Sequence, residues 1–169
     1  MRNDQDRTEV YRFPVWAMVL LPVVALLIQA NLPLWLPAAS ALDLALLMTV
    51  YFACYRRNQI VGLLIGAVIG LAQDSLGGGP IGVYGIVKTI VGYLASSLGA
   101  RIDVDHPGSR LLIVFFFYYI HLGLFLLLGR VLLEREVHLP GLASLGAALV
   151  NAVVAVIIFR LMDRLRERE

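Results

Sequence analysis

The side chains able to do chemistry in this chain stand inside or at the ends of apolar runs: Asp43, Cys54, Asp74, Lys88, His121 and Asn151. At membrane depth a carboxylate and an ammonium can pair, relay a proton or hold a ligand. Left alone, either is costly: insertion scales put a lysine at mid-bilayer at roughly 2.5–3.5 kcal/mol. Asp74 lies in the stretch GLAQDSLGGGPIG, residues 70–82, between two apolar runs. Lys88 follows Ile81 by seven residues, which at 1.5 Å per residue places it roughly 10 Å into the next helix. Asp74 therefore has two readings. It can end one helix and face the positive N-terminal end of the next, or it can pair with Lys88. Two intramembrane charges are too few for an obvious proton relay.

The remaining polar residues read as structural. Ser40-Ala-Leu-Asp43 fits a capping box and is expected to start a helix. His121 follows FFFYYI, with no partner spacing, and reads as a hydrogen-bonded packing residue. Asn151 reads as polar glue between helices, while Gln29 and Asn31 stand near a span end where water is available. Cys54 is the one cysteine, so no disulfide framework exists within the chain and no metal-ligand spacing occurs. There is no Walker motif, no paired carboxylate set and no credible Ser/His/Asp set. The chain therefore shows no pattern for P-loop nucleotide hydrolysis and none that calls for a cofactor.

The elements that must position these residues are membrane helices. Of 169 residues 60% are hydrophobic and 15% charged, against about 25% charged in a soluble domain. Mean hydropathy is +0.82. A net charge of +2 gives no case for nucleic acid. A spanning helix needs roughly 20 apolar residues, and six candidates follow: 13–36, 40–55, 59–74, 80–99, 110–133 and 140–161, with 162–169 as a charged tail. The first run is too long for a signal-peptide core and reads as a retained span. With six spans both termini share one side. That side holds eleven arginines, and the other holds only Arg130 and Arg135. The positive-inside bias makes both termini, and the tail, cytoplasmic. The outer side then holds QDSLGGGP and the 134–140 loop. The loops are too short for a soluble domain, so the chain is one membrane domain over 1–169 and the fold class is an all-α integral membrane protein.

Gly62, Gly66 and Gly70 recur every four residues, and Asp74 continues the series on one helix face. Small residues at this spacing let helix backbones approach closely. The neighbour is either another helix of this chain or a partner's span. The fourth span adds Gly82, Gly85, Gly92, Ser96 and Ser97. Between the two, the triple glycine that includes Gly78 permits a sharp reversal, and Pro80 suits the first turn of the following helix.

The run GLLIGAVIGLAQDSLGGGPIGVYGIVKTIVGYLASSLGARI resembles the rod shape-determining protein MreD family: a glycine-rich span ending in an acid, a short Ser/Gly loop, and a PLG-like restart. The residues that carry it are Gly66, Gly70, Asp74, Ser75, Gly78, Pro80 and Gly82. LDLALLMTVYFACYRR resembles the family's second span, although the usual proline before Asp43 is absent. LVNAVVAVIIFRLMDRL, with Asn151, resembles its closing helix. The resemblance covers roughly residues 40–165. It implies a non-enzymatic scaffold of the bacterial cytoplasmic (inner) membrane, with several spans, in the cell-elongation machinery. It implies direct binding to the bitopic protein MreC and, through the complex, links to MreB, RodA and a class B penicillin-binding protein that serve rod shape and lateral peptidoglycan synthesis. It further implies a fold similar to the S components of energy-coupling-factor transporters. That similarity gives an alternative: a vitamin-binding membrane subunit of an importer, with Asp74, Lys88, Asp43 and His121 near its pocket. Contact with membrane lipids is common to both. The glycine stripe, with Asp74 and Lys88, is expected to set the shape of the scaffold or to face its partner.

Overall fold

The computed structural model describes residues 14–78, 80–134 and 141–165. These form six helices: α1 (Val15–Trp35), α2 (Leu44–Arg56), α3 (Gln59–Gly77), α4 (Val83–Gly99), α5 (Pro107–Leu133) and α6 (Leu142–Asp163). Five apolar segments, including the one that holds α2, are long enough to cross a membrane, and α4 is a shorter apolar helix. The chain is an all-helical membrane protein. Arg2, Arg7, Arg12, Arg135, Arg166 and Arg168, most of the 134–140 loop and the end of the tail lie outside the described residues.

The arrangement follows from α2. Residues 44–54 are buried without a break, and a helix apolar all round belongs inside a structure rather than on its surface. All five other helices touch it. Around it the order is α1, α3, α4, α5, α6, each packed on the next. Its 13 residues give a rise of about 20 Å, well short of the ~30 Å hydrocarbon core. A short 3-10 turn at Pro37–Ala41 leads into it. Non-helical backbone at membrane depth is tolerated where protein surrounds it, and here α1 and α6 both touch the turn.

Within the expected second span of 40–55 the α-helix starts at Leu44 and not at Ser40. The capping box at Ser40 does not form. Ser40 Oγ donates to Pro37 O inside the 3-10 turn, and Asp43 is itself the N-cap of α2, its Oδ1 accepting from Leu46 N at 2.8 Å. Asp43 has the stronger claim because an N-cap carboxylate accepts directly from the orphan amides of the first turn. Other boundaries shift for similar reasons. α3 runs past 74 to Gly77 and stops where Gly78 takes φ +63°, a left-handed cap that glycine adopts without a Cβ penalty. α4 starts at Val83, behind Gly82 at φ +104°. Pro80 therefore stands in the turn and not in the first turn of α4. His106 caps α5, with Pro107 at its first position, so this helix begins three residues before the expected 110.

The glycine stripe is an internal seam. A Cβ on Gly62 would strike Gly92 O and Ser96, one on Gly66 would fall on the backbone carbonyl of Lys88, and one on Gly70 would strike Tyr84 and Gly85 backbone. The α3–α4 interface is the closest-packed in the bundle for this reason. The outward faces are apolar: Trp16, Val19, Val68, Leu112, Val153 and Ile157 are each more than half exposed, as lipid-facing positions require.

Candidate functional site

The polar residues that the sequence scatters over four helices converge on the first turn of α2. Lys88 is fully buried. Its Nζ donates to Asp43 Oδ1 at 3.2 Å and Oδ2 at 2.9 Å, and lies 3.3 Å from His121 Nε2. The ammonium thus meets both carboxylate oxygens and lies beside an imidazole nitrogen. His121 Nε2 is also 3.5 Å from Asp43 Oδ2. From α6, Asn151 Oδ1 accepts from Asp43 N at 2.9 Å, and its Nδ2 donates to Ala41 O at 2.7 Å. From α1, Gln29 Oε1 accepts from Ala45 N at 2.8 Å. A helix start buried this deeply leaves amides that water cannot reach. These side chains supply the missing partners.

Asp74 does something else. Its carboxylate accepts from Gly82 N at 2.9 Å, Tyr84 N at 3.1 Å and Gly85 N at 3.0 Å. From the last turns of α3 it holds the N-terminal turn of α4, where a negative charge also complements the helix dipole. The alternative pairing with Lys88 is not made: both carboxylate oxygens of Asp74 are engaged by backbone, and the lysine turns to Asp43. Gly78 and Pro80 are exposed in the connecting turn, and the glycine stripe is covered by α4.

Beside the Asp43 cluster lies a cavity of about 220 Å³, lined among others by Asp43, Gln29, Gln73, Tyr84, Tyr118 and His121. A second, of about 330 Å³, shares Gln29, Gln73 and Tyr84 with it and extends between α1 and α3 to Leu26, Ala30 and Gly77. The Tyr84 ring is stacked with Phe125 at 5.0 Å and with His121 at 5.9 Å. Gln73 Oε1 is buried and has no hydrogen-bond partner among the described residues.

A second polar knot ties the opposite end of α2. Arg110 Nη2 lies 2.6 Å from Asp163 Oδ2 and 2.7 Å from Tyr55 Oη, and its Nε donates to Val104 O at 2.9 Å. Tyr51 Oη donates to Asp163 Oδ1 at 3.0 Å. α2, α5 and α6 are locked there as they are at Asp43. In the sequence Arg110 stands only as one of the arginines at a span end, and Gln29 stands where water is available. The available signal for Arg110 was its position three residues into a helix marked by His106-Pro107, where a guanidinium turns inward as readily as outward. Gln73 and Tyr84 carried no signal of their own.

What the arrangement does chemically is hold geometry. The ammonium, the carboxylate and the imidazole engage one another within the cluster. Comparison with protein families matches the chain to the family described as rod shape-determining protein MreD, over residues 9–166. No curated protein and no solved structure matches the chain, so the expected likeness to the S-component fold has no structural match behind it.

Proposed function

The chain belongs to the rod shape-determining protein MreD family, and on that premise we propose that it is a non-enzymatic scaffold of the bacterial inner membrane that docks the membrane span of MreC. Through MreC it would connect MreB filaments with RodA and a class B penicillin-binding protein during lateral peptidoglycan synthesis. The observation that carries the reading is the extent of the family match, which takes in every described helix. Two features support it. Lys88, His121 and Arg110 are turned inward and lie against carboxylates of neighbouring elements, as suits a rigid body. The outer helix faces are apolar and suit helix-to-helix docking in lipid. Because α4 covers the glycine stripe, the docking face lies elsewhere. The arginine distribution supports cytoplasmic termini.

The alternative, a ligand-binding subunit of an importer, has the cavity beside Asp43 in its favour. Gentle affinity purification from native membranes separates the two. The scaffold reading expects MreC in near-equal amount and no transporter ATPase. Recovery of an ATPase with coupling subunits overturns it.

A further inference from the structure

The cavity between α1 and α3 does not end at its polar wall. Leu26 lines it and also lines an apolar groove of about 280 Å³ that continues down the same crevice, walled by Met18 and Val23 on α1 and by Leu64 and Val68 on α3. Groove and cavity together follow α3 from Leu64 to Gly77, thirteen residues or roughly 20 Å at 1.5 Å each. One leaflet of a ~30 Å hydrocarbon core is about 15 Å deep, and the apolar groove itself runs from Leu64 to Ala72, eight residues or roughly 12 Å, which takes most of one acyl chain. The polar end lies toward the Gly78 turn and the apolar end toward the bundle middle. That is the orientation of a lipid in the leaflet opposite the Arg110 end.

The polar end specifies the headgroup. Gln73 lines the cavity, and its buried Oε1 has no hydrogen-bond partner among the described residues, an unfavourable state that a ligand donor relieves once the amide turns toward the cavity. Asp43 offers carboxylate oxygens to the adjoining cavity, but its charge is already balanced by Lys88. A phosphate would bring an uncompensated negative charge beside that carboxylate. A hydroxyl both donates and accepts, which suits a wall of two amides, Gln29 and Gln73, and the phenols Tyr84 and Tyr118. We propose that the α1–α3 crevice is a binding site for a neutral lipid, one chain lying in the Leu64–Val68 groove and a small hydroxylated headgroup reaching Gln73. The site is independent of the scaffold reading, since it needs no partner protein.

The test is native mass spectrometry of the detergent-purified protein titrated with 1-monooleoylglycerol, with glycerol and 1-oleoyl-lysophosphatidylglycerol as comparisons. Binding of monooleoylglycerol is expected to weaken about tenfold in Gln73→Leu, the loss of one good hydrogen bond. It is expected to weaken similarly in Val68→Trp, which blocks the groove from a position 68% exposed and so leaves the fold intact. Ligand-free Gln73→Leu is expected to unfold at the same or a higher temperature than wild type, because the substitution removes an unpaired oxygen. Lysophosphatidylglycerol should bind more weakly than the neutral lipid. No binding to wild type overturns the proposal, as does equal binding in all three proteins. Glycerol binding that Val68→Trp leaves unchanged also overturns it, and assigns the cavity to a free polyol instead. Should Gln73→Leu fail to fold, Val68→Trp alone still decides the matter.

Discussion

Lys88 and Asp43, forty-five residues apart in the chain, meet at 2.9 Å inside the bundle, the lysine wholly buried and the carboxylate nearly so. The pair joins the start of the central helix to the helix that α3 grips through its glycines. His121 and Asn151 extend it to α5 and α6. One buried ion pair thus sets the position of α2 against three of its neighbours.

Breaking such a pair from one side leaves an uncompensated buried charge, at a cost of about 3–5 kcal/mol. Lys88→Met is expected to destabilise the detergent-solubilised protein by that order. Asp43→Asn keeps an oxygen for the Leu46 cap, so its cost is the stranded ammonium. The double variant Asp43→Asn/Lys88→Met should be more stable than the sum of the single losses predicts. Chemical or thermal unfolding of the four proteins measures the coupling. Additive losses would remove the pair from the account.

Asp74 serves as the control for that cycle. Asp74→Ala removes an acceptor from three backbone amides, and unmet buried donors cost about 1–3 kcal/mol each where water does not replace the partner. A loss of about 2 kcal/mol or more is expected, with Asp74→Asn intermediate. Combined with Lys88→Met the effects should nearly add, because no hydrogen bond or ion pair joins the two residues and only a weaker Coulombic attraction links them. A coupling above about 1 kcal/mol would reinstate the pairing that the sequence suggested.

The six helices and the glycine seam were legible because they rest on local signals: apolar length, small residues every four positions, and Gly78 and Gly82 at a reversal. Asp74 at the start of α4 was also readable, since cap and helix are neighbours in the chain. The partner of Lys88 was not. An ion pair across forty-five residues depends on which helices become neighbours, and one sequence records no such proximity. Asp43 had been assigned to a capping box, whose pattern fitted Ser40. A motif match of that kind cannot tell which of two candidate caps lies nearer the buried amides. The contacts of Arg110 and Gln29 are illegible for one reason: each stands near the end of an apolar run, and only the neighbouring helices decide whether it turns inward.

The glycine seam gives a graded test. Gly66→Ala places a methyl group on the Lys88 carbonyl, and backbone there cannot yield without parting α3 from α4. Severe loss is expected: little folded protein in membranes, or an unfolding midpoint far below wild type. Gly77 is also helical and on the same element, but nothing lies within 4 Å of its added Cβ. Gly77→Ala should be neutral or slightly stabilising, since alanine is the better helix former by about 1 kcal/mol. Size-exclusion profiles and unfolding midpoints of the two variants measure the contrast. Equal behaviour would mean that the seam is looser than the geometry requires.

Arg110 tests whether the second knot depends on charge or on shape. Its guanidinium reaches Asp163, Tyr55 and the Val104 carbonyl at once, through Nη2 and Nε. A lysine keeps the charge but is a single point donor on a flexible stem and lacks the planar fork. Arg110→Lys is therefore expected to satisfy Asp163 and to lose the Val104 contact, costing about 1–2 kcal/mol, one or two hydrogen bonds to a charged donor. Arg110→Met removes the cation from beside Asp163 and should cost more, about 3 kcal/mol. The order wild type, Arg110→Lys, Arg110→Met in unfolding midpoint is the expected outcome. If lysine serves as well as arginine, the knot is held by charge alone and α5 does not depend on the fork for its position. If methionine serves as well as either, the stability of that end comes from the aromatic packing of Tyr51, Tyr55 and Phe159, and the ion pair contributes orientation only.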